Sequence, residues 1–196
     1  MRSTLNFNSH WQFTKPGAAP VAVTLPHTWN AADGTDGGND YFRGICTYTK
    51  EFAAPAHADD EEVWLEFEGA AMTAVVTLND HELTRHAGGY STFRVNLTPA
   101  LAAQNTLTVT VDNSANRTVY PQKADFTFYG GLYRDVHILI VPHSHFALGN
   151  HGAPALRVTP EVSDNLHSAA VQGGKAVPPA MIQQLNAALN KIKKEG

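Results

Sequence analysis

Apolar and polar residues alternate with a period of two along most of the first 142 residues. The alternation is clearest in residues 44–52, 63–68 and 106–111. Because successive side chains of a strand point to opposite faces, this period predicts strands with one buried face. At least eight strands separated by Gly, Pro and Asn turns predict an all-β sandwich. Further strands are predicted at 5–14 (one strand, with or without a bulge), 21–25, 73–78, 82–86, 93–97 and 132–141, with a hairpin turn at 79–81 and a short helical turn at 98–101.

The pattern changes after Pro142. A connection is predicted first, then one strand at 156–162, and the strand pattern is lost from 165 to 179. Residues 180–195 place apolar side chains at helical spacing, which predicts a short amphipathic C-terminal helix. The predicted domains are a sandwich at 1–142, a connector with one strand at 143–172, and a linker with the helix at 173–196.

Composition excludes several classes of protein. The chain has 196 residues, 43% hydrophobic, which suffices for one sandwich-sized core. Its net charge of -4 has no basic cluster, so we expect no nucleic-acid partner. No apolar run is long enough to span a bilayer, so no membrane partner is expected. The start lacks a signal-peptide pattern, so the expected location is cytoplasmic, or periplasmic or secreted if a leader has been removed.

One stretch, Asp125–Val136, combines a carboxylate, several aromatic rings and the Gly130-Gly131 pair. Glycine adopts backbone angles that other residues avoid, so a tight bend is predicted here. A carboxylate beside such a bend can hold a sugar, because hydroxyls need acceptors and the pyranose face needs an apolar surface. An aspartate before a glycine turn is also typical of ordinary turn chemistry. Both interpretations fit the residues alone.

The stretch resembles the signature that ends the N-terminal sugar-binding domain of glycoside hydrolase family 2, and it is most similar to the β-galactosidase branch. The resemblance covers about residues 5–142 and implies a jelly-roll (galactose-binding-like) topology. It also implies that residues 143–172 begin a second, immunoglobulin-like sandwich. Further motifs follow in the family's order: Leu25–Trp29, Asp40–Gly44, Phe67–Ala70, Asn79–His81 and Val111–Ser114.

The resemblance also implies roles for individual residues. Asp125 aligns with the aspartate that reaches into the active site of the family's barrel domain, where it helps to hold sugar hydroxyls near a monovalent cation. Asn39 and Asp40 are secondary candidates for sugar contact, with ordinary loop residues as the alternative. Arg134 and Asp135 match the motif too, but a charged pair before a buried strand is more typical of a structural role.

No catalytic residue is predicted in this chain. In the family, both catalytic glutamates lie on a barrel that follows the two sandwiches, and the chain has no room for one. Glu61-Glu62 is expected in a solvated loop, and Glu66 and Glu68 are expected on the outward face of a strand. Three histidines within 143–151 suggest zinc, but no fourth ligand is placed. We therefore predict no metal or cofactor in this chain, and a monovalent or divalent cation only in the full enzyme.

The predicted function is the sugar-binding domain of a β-galactosidase-like glycosidase, inactive by itself. Its expected partners are a β-galactoside and the barrel domain that this chain lacks. Two alternatives remain open. One is a free-standing carbohydrate-binding module. The other is a structural module in which the 180–195 helix joins copies into a homo-oligomer.

Overall fold

The computed structural model describes residues 2–31, 33, 41–120 and 125–148, together with the backbone of 158–162 and 169–173. It divides into two compact units, residues 1–144 and 145–196. The predicted helix at 180–195 lies outside the described residues. No helix among the described residues is long and apolar enough to cross a membrane.

In the first unit, the described strands form two antiparallel sheets. The four-stranded sheet has the order β1-β10-β5-β8, and the six-stranded sheet has the order β3-β2-β4-β9-β6-β7. The strands are β1 Ser3–Asn6, β2 Trp11–Thr14, β3 Val21–Val23, β4 Ile45–Ala53, β5 Glu61–Phe67, β6 Thr73–Leu78, β7 His81–Ala87, β8 Phe93–Asn96, β9 Gln104–Asp112 and β10 Val136–Pro142, with a 3₁₀ turn at Thr98–Ala100.

The core lies between the inner faces of the two sheets. Buried positions alternate along β4, β5 and β9, as the period of two predicts. Trp11, Tyr48 and Phe67 have no exposed surface. Burying a large apolar side chain of this kind stabilises the fold by about 1.5–3 kcal/mol. The predicted galactose-binding-like β-sandwich is confirmed.

Two strand boundaries differ from the prediction. Residues 5–14 were predicted as one strand, but β1 and β2 belong to different sheets, and His10 between them has a left-handed φ of 59°. The last strand begins at Val136 instead of residue 132. Residues 132–135, which precede it, contact neighbouring loops instead; for example, Leu132 O accepts a hydrogen bond from His27 N at 2.8 Å.

Beyond residues 145–148, the described part of the second unit is one antiparallel pair, β11 Val158–Val162 and β12 Ala169–Gly173. Its first strand falls within the predicted 156–162. The second was not predicted, because Ala169, Ala170 and Gly173 provide no alternation of large apolar and polar side chains.

Candidate functional site

The loops that precede β4, β6, β8 and β10 lie at one end of the sandwich, which we call the site end. The strand registers place them together: Asp112 faces both Ile45 and Thr73, and Val136 faces Phe67. The opposite end, here the far end, carries the β6–β7 hairpin turn and the 3₁₀ turn. Asp125–Val136 belongs to the site end.

The Gly130-Gly131 pair packs directly against the Leu25–Trp29 motif. A Cβ atom on Gly130 would lie 2.0 Å from Trp29 Cζ2, and one on Gly131 would lie 2.4 Å from His27 O. Gly131 also has a φ of +132°, which side chains rarely allow. Only glycine fits at both positions. The two sequence motifs therefore form a single structural unit.

Two buried asparagines, Asn30 and Asn113, fasten this unit to the neighbouring loops. Asn30 Oδ1 accepts from Gly130 N at 2.7 Å and from Asn113 Nδ2 at 3.3 Å. Asn113 Nδ2 also donates to Phe128 O at 2.8 Å, and Asn113 Oδ1 accepts from Gly44 N at 2.8 Å. Buried amides with these partners hold the backbone in one arrangement. We call the pair the site-end clamp.

A histidine and a tyrosine lie beneath the glycine pair. His27 Nδ1 is 2.7 Å from the hydroxyl of Tyr48, and Thr28 Oγ1 donates to Gly130 O at 2.8 Å. Burial lowers the pKa of His27 and raises the pKa of Tyr48. Both groups are therefore neutral at neutral pH, and their role here is to support the bend.

Asp125 is exposed, and it forms no hydrogen bond or ion pair with any residue that the structure describes. The next residue in the chain, Phe126, lines a groove of about 410 Å³. The rings of Tyr90, Phe126 and Tyr129 are 54%, 52% and 50% exposed. Asp125 is thus an exposed acceptor next in sequence to a residue of an apolar groove, and an acceptor and an apolar surface are what a sugar ring requires. The groove is lined by Ala71, Tyr90, Phe126, Thr127, Tyr129 and Tyr133.

Arg134 and Asp135 hold neighbouring loops. Arg134 Nη1 donates to Glu68 O at 3.3 Å and to Tyr90 O at 3.2 Å. Asp135 Oδ1 accepts from Asn8 Nδ2 at 2.8 Å. Neither Arg134 nor Asp135 lines the groove, and both hydrogen-bond to described residues of other loops.

The secondary candidates Asn39 and Asp40 lie outside the described residues. The residues that flank them in the structure are joined through Asp33, whose Oδ2 accepts from Asn30 Nδ2 and from Phe42 N, both at 2.8 Å. The backbone N–H of Phe42 lowers the pKa of Asp33. Asp33 is therefore a structural acceptor that closes the base of this loop.

The prediction that Glu61 and Glu62 lie in a loop is wrong. Glu61 and Glu62 begin the strand instead of lying in a loop, and Glu62 Oε2 accepts from Trp64 Nε1 at 2.7 Å. Glu66 and Glu68 have carboxylate oxygens within 4.8 Å of each other. That spacing is near the roughly 5 Å of a retaining glycosidase pair. Neither glutamate lines the site-end groove, and Arg94 pairs with Glu66, so the arrangement does not match a catalytic pair.

Residues 42–158 match the family described as glycosyl hydrolase 2 galactose-binding domain-like. The chain belongs to this family. A β-glucuronidase of Bacteroides fragilis is 32% identical over 166 residues, which cover 82% of this chain and 24% of that protein. A β-galactosidase of Thermoanaerobacter pseudethanolicus is 25% identical over 160 residues, which cover 74% of this chain and 22% of that protein.

Solved structures of β-glucuronidases are also similar to this chain. The FMN-binding β-glucuronidase of Faecalibacterium prausnitzii L2-6 matches with a TM-score of 0.77 and 39% identity, covering 89% of this chain and 28% of that one. A Bacteroides uniformis β-glucuronidase matches with a TM-score of 0.73 and 34% identity, covering 84% of this chain and 21% of that one.

These comparisons confirm the predicted family. This chain spans between 21% and 28% of the length of the four relatives named here. They carry the names of both β-glucuronidases and β-galactosidases. The β-galactosidase branch therefore stays a prediction.

Proposed function

We propose that this chain is the sugar-binding domain of a family 2 β-glycosidase, and that Asp125 accepts hydrogen bonds from hydroxyls of the non-reducing sugar. The observation that carries the proposal is that Asp125 is exposed, has no partner among the described residues, and is followed in the chain by Phe126, which lines the aromatic groove. The site-end clamp holds the backbone that follows it. In this proposal, a barrel domain supplies the catalytic glutamates and most of the pocket.

The physical contribution of Asp125 is discrimination between sugars. A hydrogen bond to a charged acceptor contributes about 1.5–3 kcal/mol, and a bound sugar without the matching hydroxyl would leave the acceptor unpaired. A carboxylate acceptor suits a sugar hydroxyl and disfavours a second carboxylate nearby. A glucuronide would therefore have to direct its carboxylate away from Asp125.

The identities favour a β-glucuronide as the first substrate to test. The two structures named above are β-glucuronidases at 39% and 34% identity, whereas the named β-galactosidase is 25% identical. A β-galactoside is the second candidate, and the motif resemblance favours it. The chain by itself is expected to hydrolyse neither, because the strands that the structure describes form no barrel.

A hybrid enzyme tests the role of Asp125. The matching region of the Bacteroides fragilis β-glucuronidase is replaced by this chain, and kcat/KM is measured on chromogenic β-glucuronides and β-galactosides. Asp125→Asn should lower kcat/KM about 10- to 100-fold, because one charged hydrogen bond is lost. The melting temperature should hardly change, since the side chain is exposed.

Asp59→Asn is the matched control, because Asp59 is an exposed acid in the loop before β5. An active hybrid in which Asp125→Asn and Asp59→Asn have the same kcat/KM as the parent would contradict the proposal. The ratio of the two substrates in the parent hybrid measures what this domain contributes to sugar choice.

The exposed groove beside Asp125 favours a second function, a free-standing carbohydrate-binding module. This function predicts that the chain alone binds methyl β-galactoside or methyl β-glucuronide in a calorimeter, and that Asp125→Ala abolishes the binding. No heat at millimolar sugar would count against the module. It would leave the domain proposal intact, because most of the proposed pocket belongs to the barrel.

A further inference from the structure

Glu66, Glu68 and His137 meet on the outer face of the four-stranded sheet. Glu66 lies opposite His137 in the register of β5 and β10, and Glu68 follows two residues later on the same face. One possible ligand atom from each side chain lies within 4.8 Å of the others. The register of two paired strands, which is set by the buried core, therefore brings the three groups together.

The imidazole of His137 has an unsatisfied atom. Its Nδ1 is buried and has no hydrogen-bond partner among the described residues. The closest carboxylate atom recorded is Glu68 Oε1, at 3.7 Å, which is too far for a hydrogen bond. An unpaired buried nitrogen is unfavourable and unusual. Two carboxylates and an orphaned imidazole nitrogen, with ligand atoms this close together, are what a bound cation would satisfy.

We propose that Glu66, Glu68 and His137 bind one divalent transition-metal ion of the zinc class. Imidazole nitrogen suits Zn²⁺ and related ions, whereas Mg²⁺ and Ca²⁺ prefer oxygen ligands throughout. With ligand bonds of about 2.0–2.2 Å, neighbouring donors of a tetrahedral ion lie roughly 3.4 Å apart, close to the separation between His137 and Glu68. Water would complete the coordination.

The local charge is compatible with this ion. Arg94 Nε pairs with Glu66 Oε2, which leaves the second oxygen of that carboxylate as a possible ligand. Two carboxylates and one guanidinium have a net charge of -1, so these groups still attract a cation. Glu68 is 41% exposed and His137 is 20% exposed, so an ion can reach them from solvent.

The ion would join β5 to β10 close to where Asp125–Val136 enters the sheet, since His137 is the second residue of β10. Its role would be structural: a ligand that binds only the folded chain stabilises it. The inference does not depend on the proposed function, because none of the three side chains lines the aromatic groove.

Zinc titration of the full chain, after treatment with a chelator, tests the proposal. Calorimetry should show one more bound Zn²⁺ for the parent than for His137→Gln or Glu68→Gln. Zn²⁺ should raise the melting temperature of the parent and of the control His143→Gln, an exposed histidine outside the cluster. It should not raise that of the two cluster variants. Co²⁺ should give the parent, and not His137→Gln, the visible absorption of a tetrahedral site.

Circular dichroism of the metal-free variants shows whether each has folded. If His137→Gln does not fold, Glu68→Gln is the variant that tests the proposal. The proposal is overturned if Zn²⁺ leaves the melting temperature of the parent unchanged. It is also overturned if folded cluster variants bind as many ions as the parent with equal affinity. Binding of Ca²⁺ in preference to Zn²⁺, lost in Glu68→Gln, would contradict the zinc class.

Discussion

Each end of the sandwich is fastened by a pair of asparagines, but the two pairs support different surfaces. At the far end, Asn79 Nδ2 donates to Asn105 Oδ1 at 2.9 Å, and Asn79 Oδ1 accepts from Thr106 N at 2.9 Å. Asn105 Oδ1 also accepts from Ala102 N at 2.8 Å. This network satisfies the amides of Asn79 and Asn105, as the site-end clamp satisfies its own. We call this second pair the far-end clamp. Loops held by asparagine hydrogen bonds are therefore common to both ends.

The surfaces above the two pairs differ in chemistry. The far-end groove has a volume of about 580 Å³, and its described lining contains no phenyl, phenol or indole ring. The site-end groove is smaller, about 410 Å³, but four of its six lining residues are Phe or Tyr, and Asp125 adjoins it. Size therefore does not identify the site. Exposed rings, and an acid without a partner in the described part of the chain, identify it instead.

Glycine substitution should reveal the largest difference between the ends. Gly130→Ala places a Cβ atom 2.0 Å from Trp29 Cζ2, so the indole or the bend must move. We expect a loss of about 3–5 kcal/mol in the free energy of unfolding, measured with urea. The far-end turn residue Asp80 has a left-handed φ of 66°, so Asp80→Gly relieves strain there.

The matched Asp80→Gly variant should change the free energy of unfolding by less than about 1 kcal/mol. Glycine relieves the backbone strain at this position, but it also raises the conformational entropy of the unfolded chain, and the two effects offset each other. Equal losses in both variants would show that the site end is no more tightly packed than a hairpin turn. The comparison between the two ends would then fail.

The strands and the family were predictable from the sequence because both depend on local patterns. Alternation marks β4, β5 and β9, and contiguous motifs mark the site end. The exposed position of Asp125 agrees with its predicted role, although its contact with sugar stays a prediction. β12 could not be predicted, because its small residues carry no periodic signal.

The clamps and the Glu66, Glu68 and His137 cluster escaped prediction for another reason. Asn30 and Asn113 are 83 positions apart, and Glu66 faces His137 only through the pairing of β5 with β10. A sequence read in order does not show such registers. The Val111–Ser114 and Asn79–His81 motifs contain Asn113 and Asn79, so the hydrogen-bonding capacity of these two amides was the available signal.

Removing one asparagine from each clamp sharpens the comparison. Asn113→Ala and Asn105→Ala should each lower the free energy of unfolding by about 2–3 kcal/mol, because each removes a buried amide and leaves its hydrogen-bond partners unpaired. Only Asn113→Ala should change the fluorescence of Trp29, which packs on the Gly130 backbone that this clamp holds. The same spectral change in both variants would show that the ends are coupled, contrary to the view that each clamp acts locally.

The smallest expected effect is a dependence of stability on pH that comes from the site end. Burial lowers the pKa of His27 below its ordinary value of 6.5, so the unfolded chain takes up a proton at a pH where the folded chain does not. The free energy of unfolding should therefore fall as the pH drops below 6.5, and His27→Gln should flatten that slope. His81→Gln, at an exposed far-end histidine, should retain it. Urea titrations between about pH 5 and pH 8 measure the slopes. An unchanged slope in His27→Gln would mean that the support beneath the glycine bend does not restrict protonation of this histidine.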